Sequence, residues 1–132
     1  MRAIDTNVVV RALTGDHLEQ AGRARALIQR EPVLVMTTVL IEVYWVLRSS
    51  FGLSRKDVGY ALRGLTGLPT VQLQDPDLVA KALDWLEDGL DFADALHLAG
   101  AADCAGFVTF DKRLVRIAEG RVPIPVGEPE AA

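Results

Sequence analysis

Asp91-Phe-Ala-Asp-Ala-Leu-His-Leu-Ala-Gly-Ala-Ala-Asp-Cys-Ala-Gly-Phe-Val-Thr-Phe-Asp111 is the stretch whose reading decides the fold. Its first half predicts a helix. Ala95, Leu98, Ala99 and Ala102 recur at helical spacing, and alanine has the highest helix propensity. Asp91 and Asp94 leave one face of the first turn, where the positive end of a helix keeps carboxylates ionised. Gly106 is expected to end the helix. Phe107-Val-Thr-Phe110 then reads as a short buried strand, with Asp111 where it stops. Sites in open α/β sheets form outside the carboxyl ends of strands. The stretch therefore sends acids to one sheet edge from two elements. Taken singly, each acid has a plainer explanation: Asp caps helices and follows strands in turns. What decides is whether the rest of the chain sends carboxylates to the same edge.

Downstream, a short helix is expected around Arg113 to Glu119. Val122-Pro-Ile-Pro-Val126 reads as a last strand, and its prolines demand an edge position. The domain is thus expected over residues 1–126, with 127–132 a disordered tail. Upstream, apolar residues at helical spacing predict helices over Pro76–Glu87, from Ser54 to Leu65, Val39–Ser50, His17–Arg30 and Val8–Leu13. Between them, Thr70–Leu73, Val33–Met36 and Met1–Ile4 read as strands. Strands alternating with helices predict an α/β fold: a mostly parallel sheet of about five strands, covered on both faces as three α/β/α layers.

On that fold, Asp5 follows the first strand, and Asp5-Thr6-Asn7 suits a strand-to-helix turn. Glu42 is the only charge in the apolar run Val39–Leu47. It lies four residues after Thr38 and five after Thr37, whereas a capping-box glutamate sits three after the cap. It either occupies a narrow exposed strip or serves a site, because burying a lone carboxylate is costly. Asp5, Glu42, Asp94 and Asp111 can all meet at the carboxyl edge of the sheet. Clustered carboxylates repel, so they call for a cation, and all-oxygen ligands suit Mg²⁺ or Mn²⁺. His17 and His97 have no zinc-like partners.

The 132 residues carry a formal charge of −4 and a pI near 5.1. No basic tail announces a nucleic-acid binder. The single cysteine, Cys104, excludes an internal disulfide and fits a reducing cytoplasm; it reads as a small core residue. No run is long enough to span a membrane, and no signal-peptide layout opens the chain. The apolar helices Val39–Leu47 and Val58–Leu65, with Tyr44 and Trp45, are expected to leave surface for a partner chain. Trp45 is either part of that surface or core.

The segments Asp5-Thr6-Asn7, Glu42 within an apolar helix, Asp91-Phe-Ala-Asp94-Ala-Leu-His-Leu-Ala and Val108-Thr-Phe-Asp111, in this order, resemble the PIN-domain ribonucleases. They resemble in particular the VapC toxins of bacterial toxin–antitoxin pairs. The resemblance covers nearly the whole chain. It implies a PIN fold and Mg²⁺- or Mn²⁺-dependent endonuclease activity on single-stranded RNA. It also implies a homodimer and a cognate VapB-like antitoxin that blocks the site. By the motif match, Asp5, Glu42, Asp94 and Asp111 become the core acids and Asp91 ranks second. Thr6, Asn7 and Thr109 become support for Asp5 and Asp111. Arg11, Arg48, Lys112 and Arg113 are rim candidates that would offset the acids for RNA. Two alternatives stand beside it. One is a catalytically inactive PIN-like binding subunit. The other is a receiver-type signalling domain, which needs a strand-end lysine that Lys112, directly after Asp111, does not supply.

Overall fold

Three short parallel strands organise the first of two units into which the chain divides, Met1–Pro76 and Asp77–Ala132. The computed structural model describes residues 1–130. In the first unit β1 (Arg2–Ile4), β2 (Val33–Val35) and β3 (Val71–Leu73) lie in the order β1-β2-β3. Ile4 stands opposite Val35, and Val35 opposite Leu73. Val33 and Val35 are fully buried, as a parallel strand covered on both faces requires.

Four helices belong to this unit: α1 (Thr6–Thr14), α2 (Leu18–Arg30), α3 (Thr37–Ser49) and α4 (Arg55–Thr66). Helix α1 packs on α2 and α3, and α3 on α4. Their limits follow from local chemistry. Gly15 ends α1 at φ 69, a left-handed conformation that favours glycine, and its N–H reaches the Arg11 carbonyl. The ring of His17 caps α2 by accepting from the Gln20 N–H, and Ser54 caps α4 by accepting from Asp57. Thr37 and Thr38 are the first residues of α3 rather than its cap, so no capping box involves Glu42.

The second unit contains α5 (Pro76–Glu87), which starts at the boundary, α6 (Phe92–Gly100), β4 (Phe107–Val108), α7 (Lys112–Ala118) and β5 (Val126–Gly127). Its core holds Leu83, Leu86, Leu90, Phe92 and Leu98. Strands β4 and β5 pair in parallel, with Phe107 opposite Val126. The five expected strands are therefore present and parallel, hydrogen-bonded as a set of three and a set of two.

Five expectations need correction here. Helix α6 stops at Gly100 rather than Gly106, with the Ala101 N–H turning back to the His97 and Leu98 carbonyls. Leu98 is the last large apolar side chain before Phe107, so a longer helix would have nothing to bury. Cys104 consequently falls in a turn and is exposed, not core. The expected buried strand 107–110 is cut to two residues, and Val108 and Phe110 are 66% and 77% exposed. The last strand also shifts, from 122–126 to Val126–Gly127. Pro123 and Pro125 have no N–H to give a ladder; Pro125 contributes only its carbonyl, which accepts from Phe107. Gly127 therefore lies in a strand, and Glu128 pairs with Lys112 at 3.0 Å; residues 131–132 of the expected tail lie outside the described residues. No helix among the described residues is long and apolar enough to cross a membrane.

Candidate active site

The start of α6 gathers the acids of the second unit. Asp91 is its N-cap residue, with extended backbone and no side-chain cap hydrogen bond. Asp94 is the third helical residue and half-buried. Burial pushes the Asp94 carboxyl above its ordinary range, and the charges of Asp91 and then Asp111 push it the same way. His97 and Arg113 oppose the shift without cancelling it. Asp111 therefore stands within electrostatic reach of the α6 N-terminus, although 17 residues separate it from Asp94.

Asp111 is also a cap. Its Oδ1 accepts from the Leu114 N–H at 3.0 Å, and its own N–H donates to the Thr109 hydroxyl at 3.0 Å. Thr109 thus fixes the backbone from which Asp111 projects. The cap engages Oδ1, and a carboxylate has about four acceptor positions to offer.

Asp5 repeats the device in the first unit. It follows β1, caps α1, and its Oδ1 accepts from the Val8 N–H at 3.1 Å. Thr6 and Asn7 are the first two residues of α1. Asp5 and Asn7 line one end of an open cleft of about 880 Å³ beside α1 and α2, with Arg11, Arg23 and Arg30 along it. Glu42 is exposed on α3. Its surroundings are an exposed strip, in which Thr38, Glu42, Trp45 and Ser49 recur at helical spacing and all face water, and exposure leaves the carboxylate open to a ligand. Trp45 is 63% exposed while its neighbour Tyr44 is buried, so Trp45 is surface and Tyr44 is core.

The rim candidates have partners of their own. Arg11 bridges Asp16 at 2.8 Å, Lys112 bridges Glu128, and Arg48 donates to the Leu53 carbonyl at 3.0 Å. Arg113 acts on Asp94. Arg23 and Arg30 were not among those candidates. Their signal is a seven-residue spacing on one face of α2, legible only once that face is known to border a cleft. Among the described residues, no group of three or more His, Cys, Asp or Glu side chains is arranged to hold a metal ion by itself.

These strand-end acids and the crowding at Asp94 agree with the family to which the chain belongs. It is a member of the PIN domain family, whose model matches residues 3–120. Membership carries the three-layer α/β/α PIN fold and places the chain in the nuclease class of hydrolases. Among solved structures, the chain is similar to the VapC20 toxin of Mycobacterium tuberculosis, described as cleaving the sarcin-ricin loop. Identity is 22% over 95% of this chain and 99% of the other, with a TM-score of 0.43, so the family assignment rests on the family model. No curated protein matches the chain.

Proposed function

We propose that this chain is a Mg²⁺- or Mn²⁺-dependent endoribonuclease of the VapC toxin type, cutting single-stranded RNA. In this reading it is a cytoplasmic homodimer, silenced by a VapB-like antitoxin. Asp5, Glu42, Asp94 and Asp111 are its acids, with Asp91 in second rank.

One observation carries the reading: three acids meet at the start of α6, where burial of Asp94 and then the charges of Asp91 and Asp111 raise its proton affinity. Like charges held together bind a proton more tightly, and a cation beside them relieves the same repulsion. The donor set fits a hard divalent ion, because every candidate is a carboxylate oxygen. When bound, such an ion supplies Lewis acidity toward a phosphate oxygen and lowers the pKa of its water. Asp94 and Asp111, both in the second unit, would hold it. Asp5 and Asp111 are held in place by their own cap hydrogen bonds, so their carboxylates need no reordering when a ligand arrives. Thr109 steadies Asp111 through its backbone N–H. Hydrolysis breaks the bond from phosphorus to the 3′ oxygen, leaving a 5′ phosphate and a 3′ hydroxyl.

Purified protein should cut a single-stranded RNA with Mg²⁺ or Mn²⁺, stop in EDTA, and recover when metal is restored. Undiminished cleavage in EDTA, with contaminating ribonuclease excluded, overturns the metal-dependent reading.

A further inference from the structure

Strands β1, β2 and β3 end in one row. Ile4 stands opposite Val35 and Val35 opposite Leu73, so the residues that follow, Asp5, Met36 and Gln74, open the carboxyl edge of this sheet side by side. Neighbouring strands lie about 4.8 Å apart, which puts the backbones of Asp5 and Gln74 roughly 10 Å from each other, on either side of the start of α3. Both residues are exposed.

Helix α3 has no cap of its own. Its N-cap residue is Met36, which makes no side-chain cap hydrogen bond. The acceptor comes from the neighbouring strand end: Gln74 Oε1 accepts from the Thr37 N–H at 2.9 Å, 37 residues away in sequence. This bond fixes the amide. An N–H can be met only by the amide oxygen, so Nε2, with its two N–H donors, is turned to another side. A free glutamine could offer either end; Gln74 presents uncharged donors, on the edge where Asp5 presents a carboxylate.

A pair of donors takes an acceptor. RNA offers one at every nucleotide in its phosphate oxygens, and charged acceptors make the stronger hydrogen bonds. A lysine or arginine in this place would also offset the charge of Asp5. An amide attracts the phosphate and leaves the acid its full charge. The engaged oxygen argues against base readout, since a glutamine reads adenine with both ends of its amide.

We propose that Gln74 binds the RNA, its Nε2 donating to a phosphate oxygen of the strand that passes Asp5. The proposal rests on the nuclease reading and adds a substrate contact to it.

The test uses the full chain with Asp94→Asn, so that RNA is not consumed, and single-stranded oligonucleotides of uridine and of adenosine. Gln74→Glu keeps an oxygen for the Thr37 N–H and replaces the donors by a second oxygen. It should keep the melting temperature and weaken binding of both oligonucleotides by roughly tenfold, the scale of one hydrogen bond to a charged group. Gln72→Glu, exposed two residues earlier on β3, adds the same charge away from the edge and should weaken binding far less. Unchanged affinity in Gln74→Glu overturns the proposal and leaves Gln74 as a helix cap only. Equal weakening by the two variants overturns it in favour of net charge. A loss confined to one oligonucleotide overturns it in favour of a base contact. If Gln74→Glu lowers the melting temperature as far as Gln74→Ala does, the oxygen is not what holds Thr37, and the proposal falls with the orientation it rests on. Cleavage by the unmutated chain is measured alongside. If it cuts RNA while Gln74→Glu binds normally, only the Gln74 contact is lost; if it cuts nothing, the nuclease reading fails with it.

Discussion

The two units hold their acids by the same device and in opposite electrostatic settings. In each, a strand runs out, an aspartate caps the next helix, and its Oδ1 accepts an N–H three residues on: Asp5 from Val8, Asp111 from Leu114. The surroundings differ. The first unit has nine Lys or Arg against seven Asp or Glu, a net charge of +2; the second has five against eleven, a net of −6. Only the second crowds its acids, where Asp94 feels both Asp91 and Asp111. Capping and chemistry are therefore not rival explanations of an aspartate. One oxygen fixes the side chain and leaves acceptor capacity on the carboxylate, and the neighbouring charges decide how strongly it attracts a cation.

The largest effect should come from Asp94. Replacing it by Asn should lower metal-dependent cleavage on the order of a thousandfold, comparable to losing a group that stabilises transition-state charge. The metal-free protein should keep or raise its melting temperature. The sign follows from linkage. The folded-state pKa of Asp94 lies above its unfolded value, so the folded state binds that proton more tightly. Its contribution to stability is complete below the unfolded pKa and is lost as pH rises through the folded pKa. The melting-temperature gain of Asp94→Asn should accordingly be larger at pH 7 than at pH 4. Melting curves at both pH values check this, and a clear loss of stability at pH 7 breaks the contrast between the units.

The shared device predicts a smaller, symmetric effect. Asp5→Ala and Asp111→Ala should each cost about 1 kcal/mol of stability, because each leaves a helix N–H without its cap acceptor. Asp5→Asn and Asp111→Asn should keep the cap and most of that stability, yet still lose cleavage. Denaturant midpoints for the four variants, beside cleavage rates, separate the two roles. If Asn costs as much stability as Ala at either position, the carboxylate charge is structural there.

Much of this was legible in the sequence because it is local. Gly15, Ser54 and Pro76 punctuate helices by backbone chemistry that needs no tertiary context. Asp5 and Asp111 could be placed at strand ends for the same reason. What failed was non-local. Ala101, Ala102 and Ala105 have helical propensity, but past Leu98 that stretch offers no large side chain to bury, and α6 ends at Gly100. Val108 and Phe110 are apolar yet exposed, since an apolar run does not tell how many strands will flank it. Trp45 was ambiguous because α3 is apolar on most of its surface. Tyr44 and Trp45 are adjacent in sequence but about 100° apart on the helix, and only the fold says which one faces water. The cleft arginines Arg23 and Arg30 needed the packing of α1 on α2 before their spacing meant anything.

The smallest effect sharpens the comparison most. Asp91 stands where Asp5 and Asp111 stand, at a helix N-cap, but it makes no side-chain cap hydrogen bond. It also acts on Asp94 by charge, ahead of Asp111. If capping is what makes these aspartates structural, Asp91→Asn should change stability by no more than about 0.5 kcal/mol, the scale of an ordinary surface substitution. Any change should be toward greater stability without metal, since a like charge near Asp94 has been removed. The same substitution should bring the Asp94 pKa back toward its ordinary value and weaken metal binding less than Asp94→Asn does. Carboxyl titration by NMR on metal-free protein, with Mn²⁺ affinity measured in parallel, reads both quantities. A stability loss of 1 kcal/mol would make Asp91 a cap like the other two. An Asp94 pKa that does not move would mean that burial and Asp111 raise it without Asp91, and the crowding that distinguishes the second unit would lose its main support.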